Sequence, residues 1–202
     1  DPESCKGVLI ENCYFDTGDD CIAIKSGRNN DGRRWSIPSQ NIIVRNCRMA
    51  DGHGGVVIGS EIYGGFSNLF VEDCEMDSPE LLRVIRIKTS ECRGGIVENV
   101  NVRNVRVGKC DEAILKINLL YEPHEECDSS FPPFVRDVTL ENVTSLESRH
   151  GIYIVGLQES VNVSGITLKN CSFKGVEEGI SVTGAEAVKL KKVFINGKKT
   201  RI

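Results

Sequence analysis

Two adjacent Asp residues and a histidine each occur shortly before a short apolar segment, at matching distances from it. Asp19 precedes Ile24 by five residues, with Asp20 beside it, and His53 precedes Ile58 by the same five residues. Neighbouring carboxylates drive their pKa values apart, and a nearby imidazolium lowers the pKa of one of them. Such a group suits general acid–base chemistry, for example on a glycosidic bond. An Asp pair that caps an ordinary surface turn is the alternative reading.

Two cations one residue apart occur further along the chain, where Arg86 and Lys88 flank Ile87. In an extended strand both side chains leave the same face. Val57 and Gly59 hold the equivalent places 29 residues earlier, and such small residues would leave a trough beside the cations. The pair is then either an ordinary solvated face or a binding site for a ligand that carries carboxylates.

Two short patterns recur along the chain and predict the elements that carry these residues. The first is a β-branched segment followed by Asn or Asp and then Cys or Val, and its Asn or Asp is residue 12, 46, 73, 104, 142 and 170. The second is an apolar or alternating segment whose last member is residue 24, 58, 87, 117, 154 and 182. Both series share one irregular spacing of 27 to 38 residues, so each segment is predicted to be a β-strand.

Strands that return about every thirty residues, without helical segments between them, are typical of a solenoid. We therefore predict an all-β, single-stranded parallel β-helix of about six to seven coils. A propeller needs four strands in each blade, and a sandwich needs closely spaced hairpin turns, so both fit less well. Stacking in strict register places His53 beside Asp19, whereas a bulge at Gly54 and Gly55 places it beside Asp20.

One position of the repeat alternates between Cys and Val, which predicts small buried side chains stacked inside the coils. Its members are Cys13, Cys47, Cys74, Val105, Val143 and Cys171. The Asn and Asp residues before them are expected to form an internal amide ladder at a turn. Because the sequence has no CxxC pair and no metal-spaced Cys/His cluster, no metal site or cofactor is predicted. The sequence does not decide whether a disulfide forms among the remaining cysteines, which are Cys5, Cys21, Cys92, Cys110 and Cys127.

The composition is that of a globular domain that interacts with neither nucleic acid nor membrane. Among 202 residues, 29 are acidic and 25 basic, and 40% are hydrophobic. A mildly acidic, unsegregated charge argues against a nucleic-acid binder, which normally has a basic face. No run of apolar residues approaches the length of a membrane span.

Four blocks carry the candidate residues in order, namely Gly18-Asp19-Asp20-Cys21, Gly52-His53-Gly54, Ile58-Gly59-Ser60 and Arg86-Ile87-Lys88. In this order and spacing they resemble the motifs of the polygalacturonases, glycoside hydrolase family 28. The resemblance covers nearly the whole chain, and it implies a right-handed parallel β-helix. It also implies hydrolysis of α-1,4-galacturonosyl bonds of pectin with inversion of configuration.

The resemblance further implies a role for each candidate residue. Asp19 matches the general acid, and Asp20 matches the residue that helps to position and deprotonate the attacking water. His53 matches a histidine that supports their protonation states. The residues that match substrate-binding positions are Arg86 and Lys88, which bind galacturonate carboxylates, and Tyr121, which lies in the cleft one coil later.

The resemblance is incomplete at the start of the chain. The family has a further block, Asn-Thr-Asp-Gly-x-Asp, which supplies a third catalytic Asp. The segment Asp1-Pro2-Glu3-Ser4 resembles the tail of that block, with Asp1 as its last residue. We therefore expect residues 1–202 to be the C-terminal portion of a single β-helix catalytic domain that lacks its N-terminal coils. Such a fragment is expected to have weak activity or none.

A basic stretch, residues 27–35, follows the strand after the Asp pair and is expected to be a long loop. As a wall at one end of a cleft, it would offer Arg28, Arg33 or Arg34 to the carboxylate of a terminal sugar. The stretch also resembles the exo-acting bacterial branch of the family, which predicts attack from a chain end. A solvated loop beside an open cleft would instead predict internal cleavage.

The predicted partner is galacturonan or pectin, and a monomer is expected. Because pectin is extracellular, a periplasmic or secreted location is favoured, whereas nine cysteines without obvious pairing suit a cytoplasm equally well. Two other functions stay open on the same fold, namely a polysaccharide lyase and a glycan-binding solenoid without catalysis.

Overall fold

The structure, a computed structural model, describes residues 1–122, 126 and 130–202. Its strands, in chain order, are β1 (Lys6–Glu11), β2 (Tyr14–Asp16), β3 (Ile22–Ile24), β4 (Ser39–Arg45), β5 (Arg48–Asp51), β6 (Val56–Gly59), β7 (Phe66–Glu72), β8 (Glu75–Met76), β9 (Arg83–Lys88), β10 (Ile96–Arg103), β11 (Arg106–Lys109), β12 (Ala113–Asn118), β13 (Phe134–Glu141), β14 (Thr144–Val155), β15 (Val163–Lys169), β16 (Ser172–Phe173), β17 (Val176–Thr183), β18 (Ala185–Glu186), β19 (Lys189–Lys191), β20 (Phe194–Ile195) and β21 (Lys198–Lys199). The helix α1 spans Asn29–Trp35.

The strands form three parallel sheets that wrap around one core. Sheet 1 contains β1, β4, β7, β10, β13 and β15, with β18 and β19 paired to β15. Sheet 2 contains β2, β5, β8, β11, the first part of β14, β16 and β20. Sheet 3 contains β3, β6, β9, β12, the last part of β14 and β17. One strand from each sheet makes one coil, which confirms the predicted parallel β-helix; β20 and β21 form an antiparallel pair.

The core is formed by every second side chain of the strands, because side chains alternate between the interior and the outer face. In β4 the side chains of Ile42 and Val44 are buried, while Ile43 between them faces outward. One coil later Leu69 and Val71 stack directly on Ile42 and Val44. Burying an aliphatic side chain of this size stabilises the fold by about 1.5–3 kcal/mol. The stack of such pairs therefore fixes the register that aligns residues of neighbouring coils.

The Cys/Val column is buried except at its first member. Cys47, Cys74 and Cys171 pack inside the coils, and Val105 and Val143 fill the same position in the other two coils. The exposed Cys13 belongs to the first coil, where the described chain places only one neighbouring coil against it.

Outside that column, Cys92 takes part in a disulfide. It lies in the segment between β9 and β10. Cys5, Cys21 and Cys110 are free thiols. Cys127 lies outside the described residues. The question that the sequence left open is thus answered for four of these five cysteines.

The Asn and Asp column is a ladder, but it lies on the surface, so the prediction of an internal ladder is wrong. Its members take positive φ angles, for example 54° at Asn104 and 55° at Asn142. Asn142 donates to Asn104 Oδ1 at 3.1 Å, and Asn104 donates to Asp73 Oδ1 at 3.0 Å. Asn and Asp tolerate the left-handed conformation, which turns the chain sharply and directs the side chain outward. The next residue, Cys or Val, fills the interior instead.

Residues 29–35 form a short helix rather than the expected loop. Gly32 allows the helix to pack closely against Gly27 and Tyr63. A Cβ at this position would lie 2.6 Å from the Gly27 carbonyl oxygen and 2.8 Å from Tyr63 Cβ. The helix ends at Ser36, whose N–H donates to the Gly32 carbonyl oxygen. The described chain contains no helix of the length and apolarity that a membrane crossing requires.

Candidate active site

A polar cleft of about 530 Å³ lies on the outer face of sheet 3. Its walls are the loops that enter and leave the strands of the first four coils. The residues that line it are Asp1, Asp19, Asp20, Ala23, Lys25, His53, Gly59, Ser60, Glu61, Arg86, Lys88 and Tyr121. Six of the nine residues that the sequence singled out therefore meet in one cleft.

The first carboxyl group pairs with the histidine of the next coil. The backbone N–H of His53 donates to the Asp19 carbonyl oxygen at 3.1 Å, and His53 Nδ1 lies 3.2 Å from Asp19 Oδ1. This is the strict register, since no bulge moves His53 to Asp20. The Asp19 side chain is 83% exposed and open to the cleft.

The environment of Asp19 favours its ionised form. The backbone N–H of Asp20 donates to Asp19 Oδ1 at 2.7 Å, and this bond, with smaller effects of His53 and Lys88, lowers the pKa of Asp19 despite slight burial. A carboxylate that accepts such bonds holds its proton only in acidic solution. The ligand-free cleft therefore presents Asp19 as a hydrogen-bond acceptor near neutral pH.

The second carboxyl group is buried and paired with two cations. The side chain of Asp20 is 6% exposed, and its Oδ2 accepts a hydrogen bond from Lys88 Nζ at 2.8 Å. Arg86 Nη1 lies 3.9 Å from Oδ1. Oδ1 itself is buried and accepts no hydrogen bond from any described group. One oxygen of Asp20 is therefore held by Lys88, while the other is buried with its hydrogen-bonding capacity unused by the described residues.

The register of sheet 3 explains how the two cations reach Asp20 across an intervening coil. Val57 pairs with Arg86 and Gly59 pairs with Lys88, as the sequence suggested. Gly59 has φ of 98°, and a Cβ on it would overlap the Lys88 carbonyl oxygen. The coil between Asp20 and the cations thus has only small side chains here, and a trough separates the two flanking coils.

An aromatic ring covers the cations from the following coil. The Tyr121 ring centroid lies 5.4 Å from Arg86 Cζ and 5.3 Å from Lys88 Nζ, which are cation–π distances. Burial, followed by the nearby charge of Arg83, lowers the pKa of Arg86. Both cations are thus desolvated, and desolvated cations interact strongly with an incoming anion.

The arginines of residues 27–35 are not brought into the cleft. Arg33 lies over the Phe131 ring at 4.1 Å and donates to the Cys92 carbonyl oxygen, so it fastens α1 to the body. Arg34 lies over the Trp35 ring. Arg28 comes nearest to the cleft, 3.7 Å from Glu61 Oε1. The placement does not support carboxylate binding by Arg33 or Arg34.

Sequence reasoning gave no role to Glu61, which forms one wall of the cleft. Its carboxylate lies within 4 Å of cations from three segments, Lys25, Arg28 and Arg93. Lys25 also pairs with Asp1 at 3.0 Å. The signal that could have found Lys25 and Glu61 is their position one residue after β3 and two residues after β6, at the same end of sheet 3 as Lys88.

The chain matches the model of the glycosyl hydrolases family 28 over residues 1–193, and it belongs to this family. A polygalacturonase of Ralstonia nicotianae is 30% identical over 191 residues, which are 90% of this chain and 33% of that protein. A probable polygalacturonase of Vitis vinifera is 36% identical over 105 residues, which are 52% of this chain and 21% of that protein.

Among solved structures, the crystal structure of a hyperthermoactive exopolygalacturonase from Thermotoga maritima matches with a TM-score of 0.92 and 34% identity. The match covers 98% of this chain and 44% of that one. The fold is thus the right-handed parallel β-helix of this family. The chain spans less than half the length of each of these relatives.

Proposed function

We propose that this protein hydrolyses the α-1,4-galacturonosyl bonds of polygalacturonate or pectin with inversion of configuration. The observation that carries the proposal is the joint placement of Asp19, Asp20 and His53 with Arg86 and Lys88 in one cleft. Carboxylates supply the acid and base, and the cations supply affinity for a uronate. Membership of the family supports the same reaction.

In the proposed reaction Asp19 gives its proton to the glycosidic oxygen as the bond from the anomeric carbon to that oxygen breaks. A water attacks the opposite face of the anomeric carbon and forms the new carbon–oxygen bond, while Asp20 takes its proton. Oδ1 of Asp20 is the atom suited to that water, because it is buried without a hydrogen-bond donor among the described residues while Lys88 holds Oδ2. His53 orients the Asp19 carboxyl group.

The two cations have two partners in the proposed complex. Lys88 donates a hydrogen bond to Asp20 in the free protein, and its remaining N–H groups, together with Arg86, are available to a galacturonate carboxylate. Tyr121 closes this part of the cleft and provides a flat apolar face for a sugar ring.

The proposal includes attack from a chain end. Lys25, Arg28 and Glu61 form an ion cluster at the rim, and Arg33 fastens α1 behind it through Phe131 and Cys92. A wall fixed in this way suits a cleft that ends after a terminal sugar. The similarity to an exopolygalacturonase supports this mode, although endo-acting relatives also match the chain.

We also propose that the protein acts outside the cytoplasm, in the periplasm or as a secreted protein. The disulfide at Cys92 supports this location, because disulfides persist mainly in oxidising compartments. Cell fractionation with reducing and non-reducing electrophoresis tests the location, and a cytoplasmic protein with a reduced Cys92 would contradict it.

A monomer that binds neither nucleic acid nor membranes completes the proposal. Exposed ion pairs on sheet 1, such as Glu72 with Arg103 and Glu98 with Arg136, favour a solvated outer face. Sedimentation of the purified protein tests this part, and a stable dimer would contradict it.

Product analysis on polygalacturonate, with the protein at its natural length, tests the reaction. Hydrolysis yields reducing ends without ultraviolet absorbance, and proton NMR of the fresh product shows the β-anomer. An absorbing unsaturated end would indicate a lyase, and binding without cleavage would indicate a glycan-binding protein. Viscometry against reducing-sugar release tests the mode, because internal cleavage lowers viscosity steeply at low product release.

A further inference from the structure

A second charged group lies behind the cleft and lines none of it. Its centre is Glu112, whose carboxylate is 13% exposed and precedes β12. One oxygen accepts a hydrogen bond from Arg83 Nε, and the other accepts one from Lys116 Nζ. The backbone of Glu112 is fixed as well, since its N–H donates to Leu82 and its carbonyl oxygen accepts from His150, both at 2.8 Å.

Arg83 connects this group to the cleft. While its Nε serves Glu112, its Nη1 lies 3.5 Å from the carbonyl oxygen of His53. The ring of His53 in turn contacts Asp19. A continuous path of polar contacts therefore runs from Glu112 through Arg83 and His53 to Asp19.

Glu112 also separates cations that would otherwise repel one another. Arg83, Arg86 and Lys116 lie on neighbouring coils of sheet 3, and Glu112 is the carboxylate that contacts two of them. After burial, the charge of Arg83 contributes to lowering the pKa of both Arg86 and Lys116. Removing the charge of Glu112 leaves its two partners, Arg83 and Lys116, unpaired, and they then rearrange, whereas Arg86 keeps its contact with Asp20.

We propose that Glu112 is a positioning residue, which holds Arg83 against the His53 segment and thereby keeps the His53 ring on Asp19. This inference rests on the proposed function only for its effect on turnover. The position of His53 against Asp19 is a property of the free protein. In the Glu112→Gln variant, Arg83 turns away from the His53 carbonyl oxygen, and the His53 ring no longer stays on the Asp19 carboxylate, although the backbone hydrogen bond from His53 to Asp19 remains.

The test is a titration of the Asp19 carboxyl group by NMR in the free protein. The groups that face Asp19 are His53, Lys88 and the N–H of Asp20, of which only His53 depends on Arg83. Loss of the His53 contact raises the Asp19 midpoint by about half a pH unit in Glu112→Gln. The Arg83→Lys variant keeps the charge but shortens the donor, and it raises the midpoint in the same direction.

Glu72→Gln is the matched control, because Glu72 accepts a 2.9 Å hydrogen bond from Arg103 on sheet 1, far from the cleft. It leaves the Asp19 midpoint unchanged. An unchanged midpoint in Glu112→Gln, or a shift there without one in Arg83→Lys, would overturn the proposal. If Glu112→Gln does not fold, Arg83→Lys decides the question by itself.

Kinetics then add the effect on turnover. For Glu112→Gln we expect kcat to fall about tenfold with KM within about twofold, since the substrate-binding cations keep their places. In a His53→Gln background the same substitution leaves kcat unchanged, because the path is already broken. Equal losses in both backgrounds would overturn the proposal. The titration needs no substrate, so it decides the role of Glu112 even for a protein that cleaves no polygalacturonate.

Discussion

The outer faces of sheet 1 and sheet 3 carry charge in opposite ways. On sheet 1 the pairs join exposed arginines to half-buried glutamates of neighbouring coils, such as Arg45 with Glu11 and Arg103 with Glu72. On sheet 3 the charges are enclosed, with Asp20 6% and Lys88 11% exposed. The strands differ in the same sense: β4 alternates between buried and exposed residues, whereas β3 and β6 are buried throughout.

This difference indicates that the enclosed charges of sheet 3 are not there for stability. Exposed pairs contribute little, because water competes for each partner. Buried pairs cost desolvation and rarely improve stability over an apolar replacement. A fold that already has a fully apolar core gains little by burying Asp20, Arg86 and Lys88 on its outer face. Under the proposed function, their burial serves to bind an anion and to move a proton.

The largest expected effect of breaking the sheet 3 face comes from Asp19→Asn. We expect kcat to fall by about 10²–10⁴, because proton donation is lost while the shape of the cleft is retained. Binding of oligogalacturonate, measured by calorimetry, survives. Asp16→Asn, an exposed carboxyl on sheet 2, serves as the control. Near-normal turnover of Asp19→Asn would refute its role as the general acid.

The next effect contrasts one cation from each face. Lys88→Met leaves buried Asp20 without its 2.8 Å partner and lowers the free energy of unfolding by about 3 kcal/mol. Arg103→Met lowers it by less than about 1 kcal/mol. Urea denaturation measures both. Lys88→Met also raises KM for polygalacturonate, whereas Arg103→Met does not, and equal costs for the two variants would contradict the comparison.

The pH dependence of kcat/KM gives a third test. A general acid acts only while protonated, so activity falls as pH rises through the pKa of Asp19. The Asp20 N–H and His53 lower that pKa, which places the fall in the acidic range. His53→Gln removes one cause of the lowering and moves the fall to higher pH. A shift to lower pH would contradict this assignment.

The smallest expected effect is that of salt. Between about 0.05 and 0.5 M potassium chloride, screening weakens the long-range attraction between the cleft and a polyanionic chain. We expect KM to rise a few-fold with kcat nearly constant. A short oligogalacturonate serves as the control and shows a smaller rise. A KM independent of salt would show that long-range attraction to the cleft contributes little to affinity.

Much of the site could be predicted because the repeat fixes it. Once two patterns share one spacing, the pairs Asp19 with His53 and Val57 with Arg86 follow from counting. Strand periodicity also decides which side chains face outward. The sequence did not show that the Lys88 side chain extends past the intervening coil to contact Asp20, because that contact depends on the depth of the trough.

The features that sequence reasoning missed depend on contacts between distant loops. Residues 29–35 have no apolar period, and α1 is stabilised by Arg33 on Phe131, nearly a hundred residues away. Glu112 precedes its strand at a position with no repeated residue type, so nothing marked it as the partner of Arg83. Such contacts depend on loop paths, which no local pattern specifies.

The lengths of the connections suggest how such a protein diversifies. Every turn from sheet 1 to sheet 2 has two residues, as between Glu11 and Tyr14, whereas the segments that leave β3, β6, β9, β12 and β14 in sheet 3 vary from six to fifteen residues. The irregular period of the sequence therefore arises almost wholly beside the cleft. Insertions and deletions can accumulate in its walls without disturbing the stacked frame. In evolutionary terms, substrate preference in this architecture is free to change while folding competence is inherited intact.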